Sequence, residues 1–190
     1  MTVGLTGGVA AGKSEALRAF ANLGAATVSA DAIVHDLLDR EPMLSRLRER
    51  WGDEIENDGI VDRAAIGSRV FNQPDELNWL ESQVHPLVHD EIGHWFAAMD
   101  PATKVAVVEV PLLFEGEMSK DFDVTVAIVA DEEVRAERAR SRGHAGVEGR
   151  EGRQFSQDEK AARADHIVTN DSTPEELEKR LGELIERLTG

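Results

Sequence analysis

The residues best suited to chemistry in this 190-residue sequence are Gly7-Gly8-Val9-Ala10-Ala11-Gly12-Lys13-Ser14, which match the spacing G-x-x-x-x-G-K-[ST]. A loop of this kind turns backbone amides inward around a phosphate, adds the partial positive charge of a helix N-terminus, and lets a lysine reach the outer phosphates. Gly7 and Gly12 supply backbone freedom, Lys13 the charge, and Ser14 a hydroxyl for a magnesium ion. The alternative is a glycine-rich turn ahead of an ordinary helix. The flanks favour the phosphate reading: residues 3–6 read as a short buried strand entering the loop, and residues 15–20 as the helix leaving it.

Cations come next. The formal charge is −16, which repels nucleic acid and anionic lipid at long range, so an anionic ligand needs a locally positive pocket. Of 16 arginines, six fall between Arg135 and Arg153, with no lysine among them. Arg135, Arg138 and Arg142 are spaced to share one helix face, and planar guanidinium forks suit phosphate oxygens. A solvated helix face is the plainer alternative.

Two acids and three histidines complete the candidates. Glu109 ends a buried strand, where phosphate-loop enzymes hold magnesium, although the usual residue there is Asp. Asp31 follows a short strand at the rim where parallel sheets bind ligands, yet Asp is also a preferred helix N-cap, and spacing alone favours the cap. His85 and His89 sit four apart as in some zinc enzymes, with His94 beyond. Pro86 and Leu87 occupy the places after His85 where the zinc motif needs its glutamate, so His85 reads as an oriented polar group rather than a ligand.

These residues must be positioned by a fold. With 41% apolar residues the chain has the material for one self-sufficient core. It contains no cysteine, no apolar run long enough to span a bilayer and no charged-then-apolar leader, so the cytoplasm is expected, with no membrane, nucleic-acid or obligate protein partner. Strands are expected at 25–28, 104–110, 123–129 and 166–169, with helices between them. That alternation predicts an α/β fold, a parallel sheet with helices on both faces. Residues 41–103 lose the strands and read as a helical insertion: an amphipathic helix ending near Gly52, a turn at Asn57-Asp58-Gly59, a helix over 63–71, and a longer one opened by Pro74 that Pro86 should kink or split. Trp51, Trp79 and Trp95 read as packing rather than a stacking platform. The segment Pro111-Leu112-Leu113-Phe114-Glu115 is too apolar for a free loop and reads as a lid over a ligand, and residues 143–152 are glycine-rich, charged and aperiodic, as in a mobile loop. Asp131 can cap the arginine-bearing helix, a short helix is expected over 157–164, and Thr173, Pro174 and Glu176 form a capping-box signature for the last one.

In order, these landmarks resemble the dephospho-coenzyme A kinases. The likeness rests on Gly4-Leu5-Thr6-Gly7-Gly8 leading into Gly12-Lys13-Ser14, then Ala30-Asp31-Ala32, Leu80-Glu81 with His85-Pro86, and Val110-Pro111-Leu112-Leu113-Phe114-Glu115. It continues through Arg138 with Arg142, Gln154 with Lys160, and Ala164-Asp165 with Asn170-Asp171. The resemblance implies a phosphate-loop NTPase fold like that of nucleoside monophosphate kinases, with five parallel strands. One domain is expected, its core at about 1–40, 104–141 and 157–190, its helical acceptor-binding region at about 41–103 and its arginine-bearing lid at about 142–156. The implied activity is transfer of the ATP γ-phosphoryl group to the ribose 3′-hydroxyl of dephospho-coenzyme A. Nucleotide contacts are implied for Gly7, Gly8, Ala10, Ala11, Gly12, Lys13, Ser14, Glu15, Arg138 and Arg142, with Asn170 near the adenine. Acceptor contacts are implied for Thr6, Asp31, His85, Leu112, Leu113 and Arg150, magnesium contacts for Ser14 and Glu109, and acceptance of the hydroxyl proton for Asp31. The chain departs from the family pattern at Ala10 (usually Gly), Glu15 (Thr), Ser29 (Asp), Glu109 (Asp), His89 (Arg) and Arg135 (Gln).

The loop does not read the acceptor, so a kinase of another hydroxylated or nucleotide acceptor is the alternative. A GTPase-like switch is disfavoured: the guanine-reading N-K-x-D is absent, and the one D-x-x-G match, Asp90 to Gly93, falls in an expected helix. A non-catalytic nucleotide-binding module is a third possibility.

Overall fold

The computed structural model describes residues 1–57, 60–116, 118–141 and 154–190. In chain order the elements are β1 (Thr2–Gly7), α1 (Lys13–Asn22), β2 (Ala26–Ser29), α2 (Ala30–Leu38), α3 (Met43–Trp51), β3 (Glu56–Asn57), β4 (Ile60–Val61), α4 (Arg63–Val70) and α5 (Pro74–Ala97). There follow β5 (Ala106–Glu109), β6 (Val124–Val129), α6 (Glu132–Ser141), α7 (Gln157–Ala161), β7 (His166–Thr169) and α8 (Pro174–Thr189). They form two compact units, one of Met1–Ser29 with Asp100–Gly190, the other of Ala30–Met99.

The first unit carries a five-stranded sheet in the order β2-β5-β1-β6-β7, parallel throughout. Strands covered on both faces need unbroken apolar runs, and Val3, Leu5, Val107, Val126 and Ile128 are fully buried accordingly. Against them pack Ala16 and Phe20 of α1 and Leu177, Leu181 and Leu184 of α8. The start of α8 follows its sequence: Pro174 opens the helix and the Thr173 hydroxyl accepts the Glu176 N–H at 3.4 Å. In α7 a complete capping box joins Ser156 and Glu159. The arginine-bearing α6 buries no residue among those described.

A buried ion pair closes this unit near α7. Lys160 is fully buried, its Nζ lying 3.2 Å from Glu115 Oε1 and also donating to the Pro111 carbonyl. Glu115 Oε1 accepts the Phe155 N–H as well, at 2.7 Å, and the Arg163 guanidinium lies 4.2 Å from the centre of the Phe155 ring. The 111–115 segment is therefore tied at both ends to Lys160 of α7 by charge-assisted bonds rather than left as a loose cover.

The second unit is helical apart from the β3–β4 pair. The turn expected between those strands includes residues 58 and 59, outside the described residues. Asp62 caps α4 by accepting from the Ala64 and Ala65 amides. Of the kink or split expected at Pro86, the split does not occur: α5 runs for 24 residues with Pro86 inside it. Proline removes one N–H and crowds one carbonyl, while the buried stripe of Val84, Val88 and Ile92 continues on both sides and holds the helix together. The tryptophans pack, as read from the sequence. Trp51 and Trp79 meet edge to face at 5.1 Å, and Trp51 Nε1 donates to Glu76, which also takes two bonds from Arg50.

Lys160→Ala would leave the Glu115 carboxylate buried and unpaired, so urea denaturation should show a loss of about 3–5 kcal/mol. Asp165 accepts from the Thr125 hydroxyl at 2.7 Å and its N–H at 2.8 Å, which holds its carboxyl below the usual range. A carboxyl lowered by folding stabilises above its unfolded pKa of about 3.9 and loses that contribution as pH falls through the folded value. Asp165→Asn should be less stable than the parent at neutral pH and show a shallower decline below about pH 4 in acid titrations followed by circular dichroism.

Candidate active site

The loop after β1 grows from the carboxyl end of the sheet's middle strand, and its shape follows from what crowds it. Gly7 pairs with Ile128 so closely that a Cβ would stand 2.4 Å from the Ile128 carbonyl oxygen. Ala10 has φ +58, a left-handed conformation that costs an L-residue about 1–2 kcal/mol and that glycine would adopt freely. Gly12, at φ +95, ends the loop and its carbonyl accepts from the Glu15 and Ala16 amides as α1 begins. Lys13 bends back over the loop, its Nζ donating to the carbonyls of Gly8 at 3.1 Å and Gly7 at 3.3 Å. Ser14 is exposed in the first turn of α1. Amides, lysine and helix terminus together form a cradle for phosphate oxygens.

Beside the loop lie the other strand ends of this unit. Glu109, 6% exposed, sits in register with Leu5 on one side and Ser29 on the other. A hydroxyl at Ser14 and a carboxylate at Glu109 are the hard oxygen donors that magnesium takes. Thr6 is fully buried and its hydroxyl donates to the Pro111 carbonyl at 3.3 Å, the same oxygen that receives Lys160. Leu113 is fully buried and Leu112 partly so. Asn170, 1% exposed, follows β7, and its side-chain amide donates to the Ala11 carbonyl at 3.0 Å and to Glu15 Oε2 at 3.3 Å. Arg138 Nη1 donates to the Asn170 carbonyl at 2.9 Å. The structure thus joins Ala11, Glu15, Arg138 and Asn170 through hydrogen bonds.

Arg142 and Arg150, like all of residues 142–153, lie outside the described residues. Asp31 and His85 belong to the second unit and both are exposed. Asp31 is in the first turn of α2 rather than at its cap, because the helix starts at Ala30, directly after β2. Among the described residues no group of three or more His, Cys, Asp or Glu side chains is arranged to hold a metal ion.

Gln157 was not legible as a site residue. Its amide donates to the Ala130 carbonyl at 3.0 Å and accepts the Ala130 N–H at 2.8 Å, and its Cβ stands 3.1 Å from where a Cβ on Gly8 would be. Nothing in its spacing marks it, since the contact joins residues 27 apart.

With this geometry in view, comparison with known proteins is specific. The family model for dephospho-CoA kinase matches residues 1–176. The dephospho-CoA kinase of Protochlamydia amoebophila is 36% identical over 98% of this chain and 95% of its own length, and that of Streptomyces avermitilis is 36% identical over 97% and 92%. Among solved structures, TT1252 from Thermus thermophilus superposes with a TM-score of 0.82 at 28% identity, covering 100% of this chain and 98% of its own. The dephospho-CoA kinase from Campylobacter jejuni gives 0.73 at 25% identity, covering 99% and 96%. Shikimate kinase from Bacteroides thetaiotaomicron, at 0.55 and 17% identity over 98% of each chain, shares the fold. A phosphate-binding loop on a five-stranded parallel sheet and a family match over almost the whole length lead to one conclusion: this chain belongs to the dephospho-CoA kinase family.

Proposed function

We propose that this protein transfers the γ-phosphoryl group of ATP to the ribose 3′-hydroxyl of dephospho-coenzyme A, the last step of coenzyme A synthesis. The observation that carries the reading is the loop itself, with its returning lysine and the helix terminus at Lys13, set at the rim of a sheet whose chain matches this family over residues 1–176.

Phosphoryl transfer needs little covalent help from a protein; positioning and neutralisation of charge supply most of the rate. The loop amides from Gly7 to Ser14, with Lys13, hold the triphosphate. Ser14 and Glu109 would hold magnesium, which when bound spreads the charge of the β- and γ-phosphates. Arg138 neutralises the transferring group, and Arg142 and Arg150 of the expected lid, outside the described residues, share that role. Thr6, His85, Leu112 and Leu113 contact the acceptor, and the helical unit of Ala30–Met99 supplies most of its binding surface. Asp31 orients the 3′-hydroxyl and accepts its proton, a role that its exposure in the first turn of α2 permits. The protein works in the cytoplasm on small-molecule substrates; no helix among the described residues is long and apolar enough to cross a membrane.

The direct test is incubation with magnesium-ATP and a panel of hydroxylated acceptors, followed by mass analysis. Coenzyme A should form from dephospho-coenzyme A; phosphorylation of a different acceptor in its place would assign another substrate. Asp31→Asn should lower turnover roughly 10²–10⁴-fold while nucleotide affinity stays as in the parent, and near-normal turnover would remove the proton-accepting role.

A further inference from the structure

Asn170 is unusual in having every polar atom committed. Its backbone N–H donates to the Val129 carbonyl at 2.8 Å, and its carbonyl accepts from Arg138 Nη1 at 2.9 Å. Its side-chain Nδ2 donates to both the Ala11 carbonyl and Glu15 Oε2, and its Oδ1 faces Arg138 Nη2 at 3.5 Å. The amide orientation is forced. Two acceptors lie on one side and a guanidinium on the other, so only Nδ2 can face the loop. An amide has two N–H hydrogens, and both are used. With both side-chain N–H hydrogens bonded and 1% of the residue exposed, no side-chain donor is left to read a base.

Closeness makes the same point. A Cβ on Gly12 would stand 2.1 Å from Asn170 Nδ2, so the loop and this side chain are in contact at the turn that launches α1. The Ala11 carbonyl must point away from the cradle for the neighbouring amides to point in, and Asn170 supplies the donor that holds it there. The same residue receives the arginine of α6. Glu15 supplies a charged acceptor for the amide.

We propose that Asn170 is a positioning residue that fixes the phosphate loop and Arg138 in one frame, through Ala11 and Glu15 on one side and the guanidinium on the other. It acts on the phosphates through the loop and does not select the base. The inference rests on the nucleotide-dependent reading above, since it presumes that the loop holds a nucleoside triphosphate.

Binding of magnesium-ATP and magnesium-GTP by the full-length protein tests it, together with turnover on dephospho-coenzyme A. Asn170→Ala should weaken both nucleotides by the same factor, roughly tenfold for two lost hydrogen bonds, leaving their affinity ratio as in the parent. A fall for ATP alone would make Asn170 a base-reading residue, and unchanged affinity for both would remove the positioning role; either result overturns the proposal. Asn170→Asp should be worse, because it sets a carboxylate against the Ala11 carbonyl and Glu15. Adding Glu15→Gln restores a donor–acceptor pair and should recover part of the loss, whereas a double variant no better than Asn170→Asp would refute the coupling. Should Asn170→Ala fail to fold by circular dichroism, the Asn170→Asp pair decides alone. A parent protein that binds neither nucleotide would instead sink the functional reading, and with it this one.

Discussion

A strand hydrogen-bonded on both sides can present an unpaired backbone only where it stops. β1 is paired along its length with β5 and β6, and its last residue, Gly7, is pressed against the Ile128 carbonyl. The chain must leave the sheet at that point and in one direction. Beyond Gly7 the chain has left the sheet and α1 begins at Lys13; the Ala11 amide turns to the Gly8 carbonyl at 3.2 Å, and the helix N-terminus brings the loop the partial positive charge that favours an anion. The cradle is thus a product of sheet geometry, and the flanking strand ends, Glu109 and Asn170, are delivered to the same rim by parallel registration.

Electrostatics give this arrangement its selectivity. A molecule of net charge −16 has to concentrate its cations where an anion is wanted. Lys13 arches over loop carbonyls, and Arg138 is anchored through Asn170. Lys160 is spent differently. Fully buried on Glu115 and the Pro111 carbonyl, it serves the scaffold, and the Thr6 hydroxyl shares that carbonyl from the β1 side. One backbone oxygen therefore ties the middle strand to α7.

What could be read from the sequence was what repeats locally. The buried strands announce themselves as apolar runs, α8 by Pro174 and its leucines, and the phosphate loop by fixed spacing. Features set by distant partners were hidden. Asp31 looked like a cap because aspartate after a strand usually is one, but β2 passes into α2 without an intervening residue, which leaves no cap position for it. Pro86 looked like a break because propensity is local, whereas the stripe of Val84, Val88 and Ile92 that overrides it is not. The saturation of Asn170 and the burial of Lys160 depend on residues 159 and 49 positions away, beyond any periodicity.

The Gln157 amide has a further meaning. By bonding both the N–H and the carbonyl of Ala130, it imitates a peptide group and lengthens the sheet by one rung past the end of β6. A rung made from a side chain can be withdrawn by a single rotamer change, which no true strand allows. That glutamine also packs at Gly8, where an added Cβ would lie 3.1 Å from its own, so a single side chain joins the start of α7, the end of β6 and the phosphate loop.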